Sequence, residues 1–112
     1  MAWNIFEIAS YQVYEISAKS PGYEGTSAWI SLYWDGAEKA RVWFTIGDAA
    51  PALPNSAPSP GLAVYYLRFR GTQLPAVVDL LRNEKPVYMH WNTTSTGAFI
   101  ATDKEPVGEG ER

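Results

Sequence analysis

A chain of 112 residues with no cysteine fits one domain that buries roughly two-thirds of its unfolded surface, and it can hold neither a disulfide nor a thiolate-bound zinc. The net charge of -3 gives no general electrostatic grip on nucleic acid, and no apolar run approaches the ~20 residues that a membrane-spanning helix needs. The excess is in flat side chains: 14% of the residues are aromatic, with 5 Trp and 7 Tyr, the types that dominate both cores and recognition surfaces.

The opening MAWNIFEIAS has no basic region followed by a long apolar run, so a cytoplasmic protein is expected. Residues 11–18 alternate, with Tyr11 and Val13 on one face and Tyr14, Ile16 and Ala18 on the other, until Pro21, Gly22 and Gly25 break the pattern. Residues 28–34 and 40–46 flank Asp35-Gly36-Ala37-Glu38-Lys39 and read as a hairpin. A register with Ile30 opposite Phe44, Leu32 opposite Val42 and Trp34 opposite Ala40 keeps the apolar side chains on one face. It closes the turn with Asp35 opposite Lys39 and gathers Trp29, Tyr33, Arg41 and Trp43 on the other face.

Residues 48–61 hold Pro51, Pro54, Pro58 and Pro60, whose missing amide donors exclude a helix interior or a central strand. A surface loop is expected there, cut first by proteases between residues 49 and 61. The next strand, 62–70, turns Tyr65, Leu67 and Phe69 inward and sets Tyr66, Arg68 and Arg70 together on the opposite side. After Gly71 the period changes. Leu74, Val77, Val78 and Leu81 stand at helical spacing behind Pro75, which predicts a short helix over 74–83. Residues 86–91 and 97–102 then read as a second hairpin around a turn at Asn92-Thr93-Thr94, and 105–112 as a flexible acidic tail.

The pattern predicts an α+β fold over residues 1–104: about six mainly antiparallel strands with one packed helix. One helix cannot cover both faces of such a sheet, so either the sheet curls into a partly open barrel or another chain covers the second face. The strands at 62–70 and 86–91, joined through the helix, are far enough apart in sequence for a right-handed crossover that makes them parallel, and an antiparallel excursion is the alternative.

Catalytic and metal signatures are sparse. His90 is the one histidine and has no second ligand at metal spacing. No Gly-x-Ser-x-Gly elbow occurs, Glu7 and Glu15 have no evident partner, and the stretch before the helix has a single glycine and so makes no phosphate cradle. The expectation is therefore a protein that is not an enzyme and takes no metal or cofactor. Trp29, Tyr33, Arg41 and Trp43 instead form the mixture typical of interface hot spots, with Tyr33 opposite Arg41 as a cation–π pair. Either the chain covers these rings itself or a partner does, and a symmetric homodimer is the simplest partner. The alternative is a binding face for single-stranded nucleic acid or a small anionic ligand, built from Tyr66, Arg68 and Arg70.

Overall fold

The computed structural model describes residues 3–18 and 20–104; the expected acidic tail at 105–112 lies outside them. In chain order the elements are β1 (Trp3–Glu7), β2 (Ser10–Glu15), β3 (Thr26–Trp34), β4 (Ala37–Thr45), β5 (Tyr65–Phe69), a single 3-10 turn (Gly71–Gln73), α1 (Leu74–Asn83), β6 (Val87–Asn92) and β7 (Ala98–Thr102). The α+β class holds, with mostly antiparallel strands and one short helix. The strands divide into two sheets, of order β1-β6-β7 and β2-β3-β4-β5, and are not closed into a barrel. The difference from the sequence reading starts at the N-terminus. Trp3–Glu7 forms a strand antiparallel to β6, so β6 and β7 belong to a second sheet and do not extend the first.

Alternation along β3 and β4 fills the core. Ala28, Ile30, Leu32, Trp34, Ala40, Val42 and Phe44 are all buried and point to the inner side of the four-stranded sheet. Leu67 of β5 joins them, and Tyr65 and Phe69 pack at the margin, as the alternation of this strand requires. The covering layer is the three-stranded sheet, through Phe6, Met89 and Trp91, together with α1, through Leu74, Val77, Val78 and Leu81. Phe6 stacks on Trp34 at 4.9 Å and Tyr65 meets Trp91 at 4.9 Å, so large rings join the layers at contact distances where aromatic pairs are favourable. The helix begins where Pro75 tolerates the missing donor and ends with the Glu84 amide bonded to Leu80.

The β3–β4 hairpin departs from the expected register by two residues as far as Leu32 and by three at Trp34, beyond a bulge. Ala28 faces Phe44, Ile30 faces Val42, Leu32 faces Ala40 and Trp34 faces Ala37. Asp35-Gly36 alone makes the turn, both residues with positive φ, 54° and 77°. This two-residue turn matches the right-handed twist of its strands, and Asp-Gly favours it. A bulge between Leu32 and Tyr33 then restores the apolar face by leaving Lys39 unpaired. The expected Asp35–Lys39 pair is therefore not formed. The division of side chains between faces survives, because the slip is an even number of residues as far as Leu32 and the bulge absorbs the odd one beyond it.

β5 runs parallel to β4, with Arg41 opposite Tyr66 and Trp43 opposite Arg68. The strands on either side of the helix, β5 and β6, do not pair with each other as anticipated: β6 lies between β1 and β7 in the other sheet, and the parallel pair is β4 with β5, joined across residues 46–64. The proline-rich segment follows the outer edge of β5: Ser56 and Tyr66 exchange two backbone hydrogen bonds, and Asn55 Oδ1 accepts from the Arg68 amide. Asn55 Nδ2 also donates to the Thr96 carbonyl, which ties this segment to the β6–β7 turn.

Gly71 sits where β5 hands over to the 3-10 turn, its amide donating to Thr45 Oγ1 and that of Thr72 to the Gly47 carbonyl. A β-carbon there would overlap the Thr45 carbonyl and lie 2.9 Å from the backbone N and O of Gly47. Gly71→Ala is therefore expected to cost about 3 kcal/mol through backbone displacement, read as a lowered urea midpoint with unchanged m-value.

Candidate functional site

Pairing of β5 with β4 merges two groups of residues that are separate in the sequence. The outer side of the four-stranded sheet carries a row of Tyr14, Trp29, Trp43 and Arg68, and beside it a row of Gln12, Ser31, Arg41 and Tyr66. Tyr33, nearer the hairpin turn, faces Ser10 and Glu38. Trp29, Tyr33, Arg41, Trp43, Tyr66 and Arg68 thus share one surface. Arg70 is separated from it: β5 ends at Phe69, and the Arg70 guanidinium donates to the Asp48 carbonyl at 2.6 Å and pairs with its carboxylate at 3.6 Å.

The rings on this surface cover one another. Tyr14 stacks on Trp29 at 4.3 Å, Trp29 leans on Trp43 at 5.0 Å, and Trp43 meets Tyr66 at 6.2 Å. Tyr23, from the loop between β2 and β3, lies over both tryptophans at 5.8 and 6.2 Å. Each strand-borne ring is half-buried. Tyr14 and Tyr23 belong to this surface, and the pattern of the sequence does not gather them with Trp29 and Trp43. The alternation of 11–18 places Tyr14 on this side, but nothing in the spacing brings Tyr23 back over it.

A polar seam crosses the same surface. Trp29 Nε1 donates to Ser31 Oγ at 3.3 Å, and Ser31 donates to Glu38 Oε2 at 2.6 Å. Arg41 completes it with two bonds to the Glu38 carboxylate, at 2.8 and 3.1 Å. The expected Tyr33–Arg41 cation–π pair gives way to this ion pair, because the bulge sets Glu38, and not Arg41, opposite Tyr33. The cation that does lie over a ring is Arg68, 5.6 Å from the centre of Tyr66. The Arg41 hydrogen bond holds the Glu38 carboxyl below its ordinary value of 4.5; partial burial opposes this and the Ser31 hydroxyl reinforces it.

Between residues 49–53 and this sheet lies a slot of about 280 Å³. Trp43, Phe44 and Phe69 line it on the sheet side and Pro51 and Leu53 on the loop side, with Arg68 and Glu24 also at its walls. Arg68 Nε donates to the Pro54 carbonyl at 3.2 Å. Trp43 Nε1 is buried and is the one such side-chain polar atom among the described residues without a hydrogen-bond partner.

The outer side of the three-stranded sheet is a second aromatic surface. Ile5, His90 and Phe99 form a row across β1, β6 and β7. Trp3 stacks on Phe99 at 5.2 Å, and His90 sits 6.4 Å from each of Trp3, Tyr88 and Phe99. Ile5 and Phe99 remain 55% and 56% exposed. The Tyr88 hydroxyl is pushed above its ordinary range, first by desolvation and then by the Asp103 and Glu7 charges. The signal for this face is the alternation of Trp3 and Ile5 with Asn4 and Phe6. Among the described residues no three His, Asp or Glu side chains gather to hold a metal, and no helix is long and apolar enough to cross a membrane.

No family model, curated protein or solved structure matches this chain.

Two outcomes test the four-stranded face. Glu38 has a lowered folded-state pKa, so its contribution is present above the ordinary carboxylate range and is lost as pH falls through the folded value. Glu38→Gln is expected to cost about 1–3 kcal/mol at neutral pH, by leaving Arg41 and Ser31 poorly paired. Urea melts should then show the gap from wild type narrowing below about pH 4. Asn55→Ala removes the two side-chain hydrogen bonds that tie the proline-rich segment to β5 and to the β6–β7 turn. Limited proteolysis between residues 49 and 61 is expected to accelerate about tenfold, as the loss of roughly 1.4 kcal/mol of local stability implies.

Proposed function

We propose that the protein is a non-catalytic interaction module that associates with a second copy of itself through the outer face of its three-stranded sheet. The observation that carries this reading is the Ile5–His90–Phe99 row, whose flanking apolar side chains stay more than half exposed while the rings of the four-stranded sheet cover one another. Contiguous apolar surface of this kind marks contact sites more often than bare surface. A two-fold axis along β6 sets Ile5 of one copy over Phe99 of the other, so one patch is complementary to itself. The footprint sets the strength. Three strands of about five residues span roughly 14 by 16 Å, well short of the ~800 Å² per partner of a standard interface. The association is accordingly weak and reversible.

Trp29, Tyr33, Arg41 and Trp43 favour this assignment by what they already do. Arg41 is spent on Glu38 and the tryptophans on each other and on Tyr23. Single-stranded nucleic acid fits less well, because base stacking needs an open ring face and Tyr14, Trp29 and Trp43 spend theirs within the chain. Glu38, held ionised by Arg41, has the environment of a structural ion pair and not of a proton-transfer group.

Sedimentation equilibrium tests the reading. Wild type is expected to show a monomer–dimer equilibrium, and Phe99→Asp to weaken it at least about tenfold by burying an unpaired charge in the contact. Tyr33→Ser, on the opposite face, should leave it unchanged. A wild-type protein that stays monomeric into the millimolar range, or one dissociated by Tyr33→Ser and not by Phe99→Asp, overturns the assignment.

A further inference from the structure

We propose that the slot beneath the proline-rich segment is a binding site for a small apolar monocarboxylic acid, with its carboxylate on Arg68 and its apolar body against Trp43, Pro51 and Leu53. The site is on the other sheet from the association face and stands independently of it. Arg41 and Arg70 are each paired with a carboxylate, through Glu38 and Asp48, whereas no carboxylate among the described residues lies within ion-pair distance of Arg68. Its guanidinium is nevertheless held in place, by the Nε bond to Pro54 and by its position over Tyr66. That leaves its two terminal nitrogens oriented and uncommitted, the arrangement that recognises a planar carboxylate through parallel bonds at low ordering cost.

The remaining lining selects the rest of the ligand. Trp43, Pro51 and Leu53 offer apolar surface, where a ring or short hydrocarbon chain is favourably desolvated. A volume of about 280 Å³, just under the usual range of ligand pockets of about 300–1,000 Å³, admits one ring with a short acid arm and excludes a nucleotide. Glu24, also at the wall, repels a second negative charge, which disfavours dicarboxylates and phosphate relative to a single carboxylate. The slot is also pre-formed, because Asn55 and Ser56 hold the segment against β5.

The test is a titration of the full chain with phenylacetate, phenylacetamide and inorganic phosphate, followed by amide and indole N–H chemical shifts and by tryptophan fluorescence. Phenylacetate is expected to move the resonances of residues 49–53, Arg68 and the Trp43 indole saturably, at least tenfold more tightly than phenylacetamide or phosphate. Arg68→Gln should remove that tenfold preference, while Arg70→Gln, which lies outside the slot, should keep it. Absence of saturable shifts at these residues overturns the proposal. So does equal binding of phenylacetamide, or phosphate competing as well as phenylacetate does. If Arg68→Gln fails to fold, by circular dichroism, the ligand comparison on the wild type decides alone.

Discussion

Along β3 and β4 every second side chain is committed to the core: Ala28, Ile30, Leu32 and Trp34 on one strand, Ala40, Val42 and Phe44 on the other. The pleat then has no choice about the residues between them, and it sends Trp29, Ser31, Tyr33, Arg41 and Trp43 outward together. The inner commitment positions β5 as well, because burying Leu67 beside Val42 fixes Tyr66 and Arg68 on the outside. A surface gathered from four strands is therefore a by-product of filling the interior. Any change that shifted the hairpin by one residue would exchange the two faces and dissolve both.

With so many rings sent outward, the protein resolves the exposure within itself. Tyr14, Trp29, Trp43 and Tyr66 lean on one another as a row standing on the sheet, Tyr23 folds over them, and the Ser31–Glu38–Arg41 seam satisfies the polar groups between. Stacked rings show their edges to solvent and not their faces. That geometry limits the chemistry available to the surface, and its border with the proline-rich segment is where Arg68, which has no carboxylate partner among the described residues, adjoins an apolar wall. On the three-stranded sheet Trp3 stacks on Phe99, yet Ile5 and Phe99 both stay more than half exposed.

Local pattern made much of this legible. The helix at 74–83, the two hairpins and the inward set Tyr65, Leu67 and Phe69 follow from periodicity and from Pro75, because each depends on neighbours in sequence. The partition of the β3–β4 faces was legible for the same reason. Its register was not, since Asp35-Gly36 closes a tighter turn than Asp35 and Lys39 would have allowed and the bulge at Lys39 compensates. Long-range choices left no local trace. Nothing in WNIFE says that it pairs with β6, and nothing in 46–64 says that it returns β5 parallel to β4. These two pairings decide that there are two sheets, that Arg68 joins Trp43, and that a second aromatic face exists. Arg70 illustrates the converse: alternation placed it with Arg68, but Asp48 reaches it first.

The stitch between Ser56 and Tyr66 has a bearing on whether the edge of the larger sheet can pair with another strand. Without it, the rim of the larger sheet would offer a row of unsatisfied amides and carbonyls, a template on which any extended chain can add. A stretch unable to propagate a ladder of its own, because prolines interrupt it on either side, occupies that rim with two hydrogen bonds and one asparagine side chain and then turns away. It works as a selvedge on woven cloth does, finishing the border with thread that cannot itself be woven further.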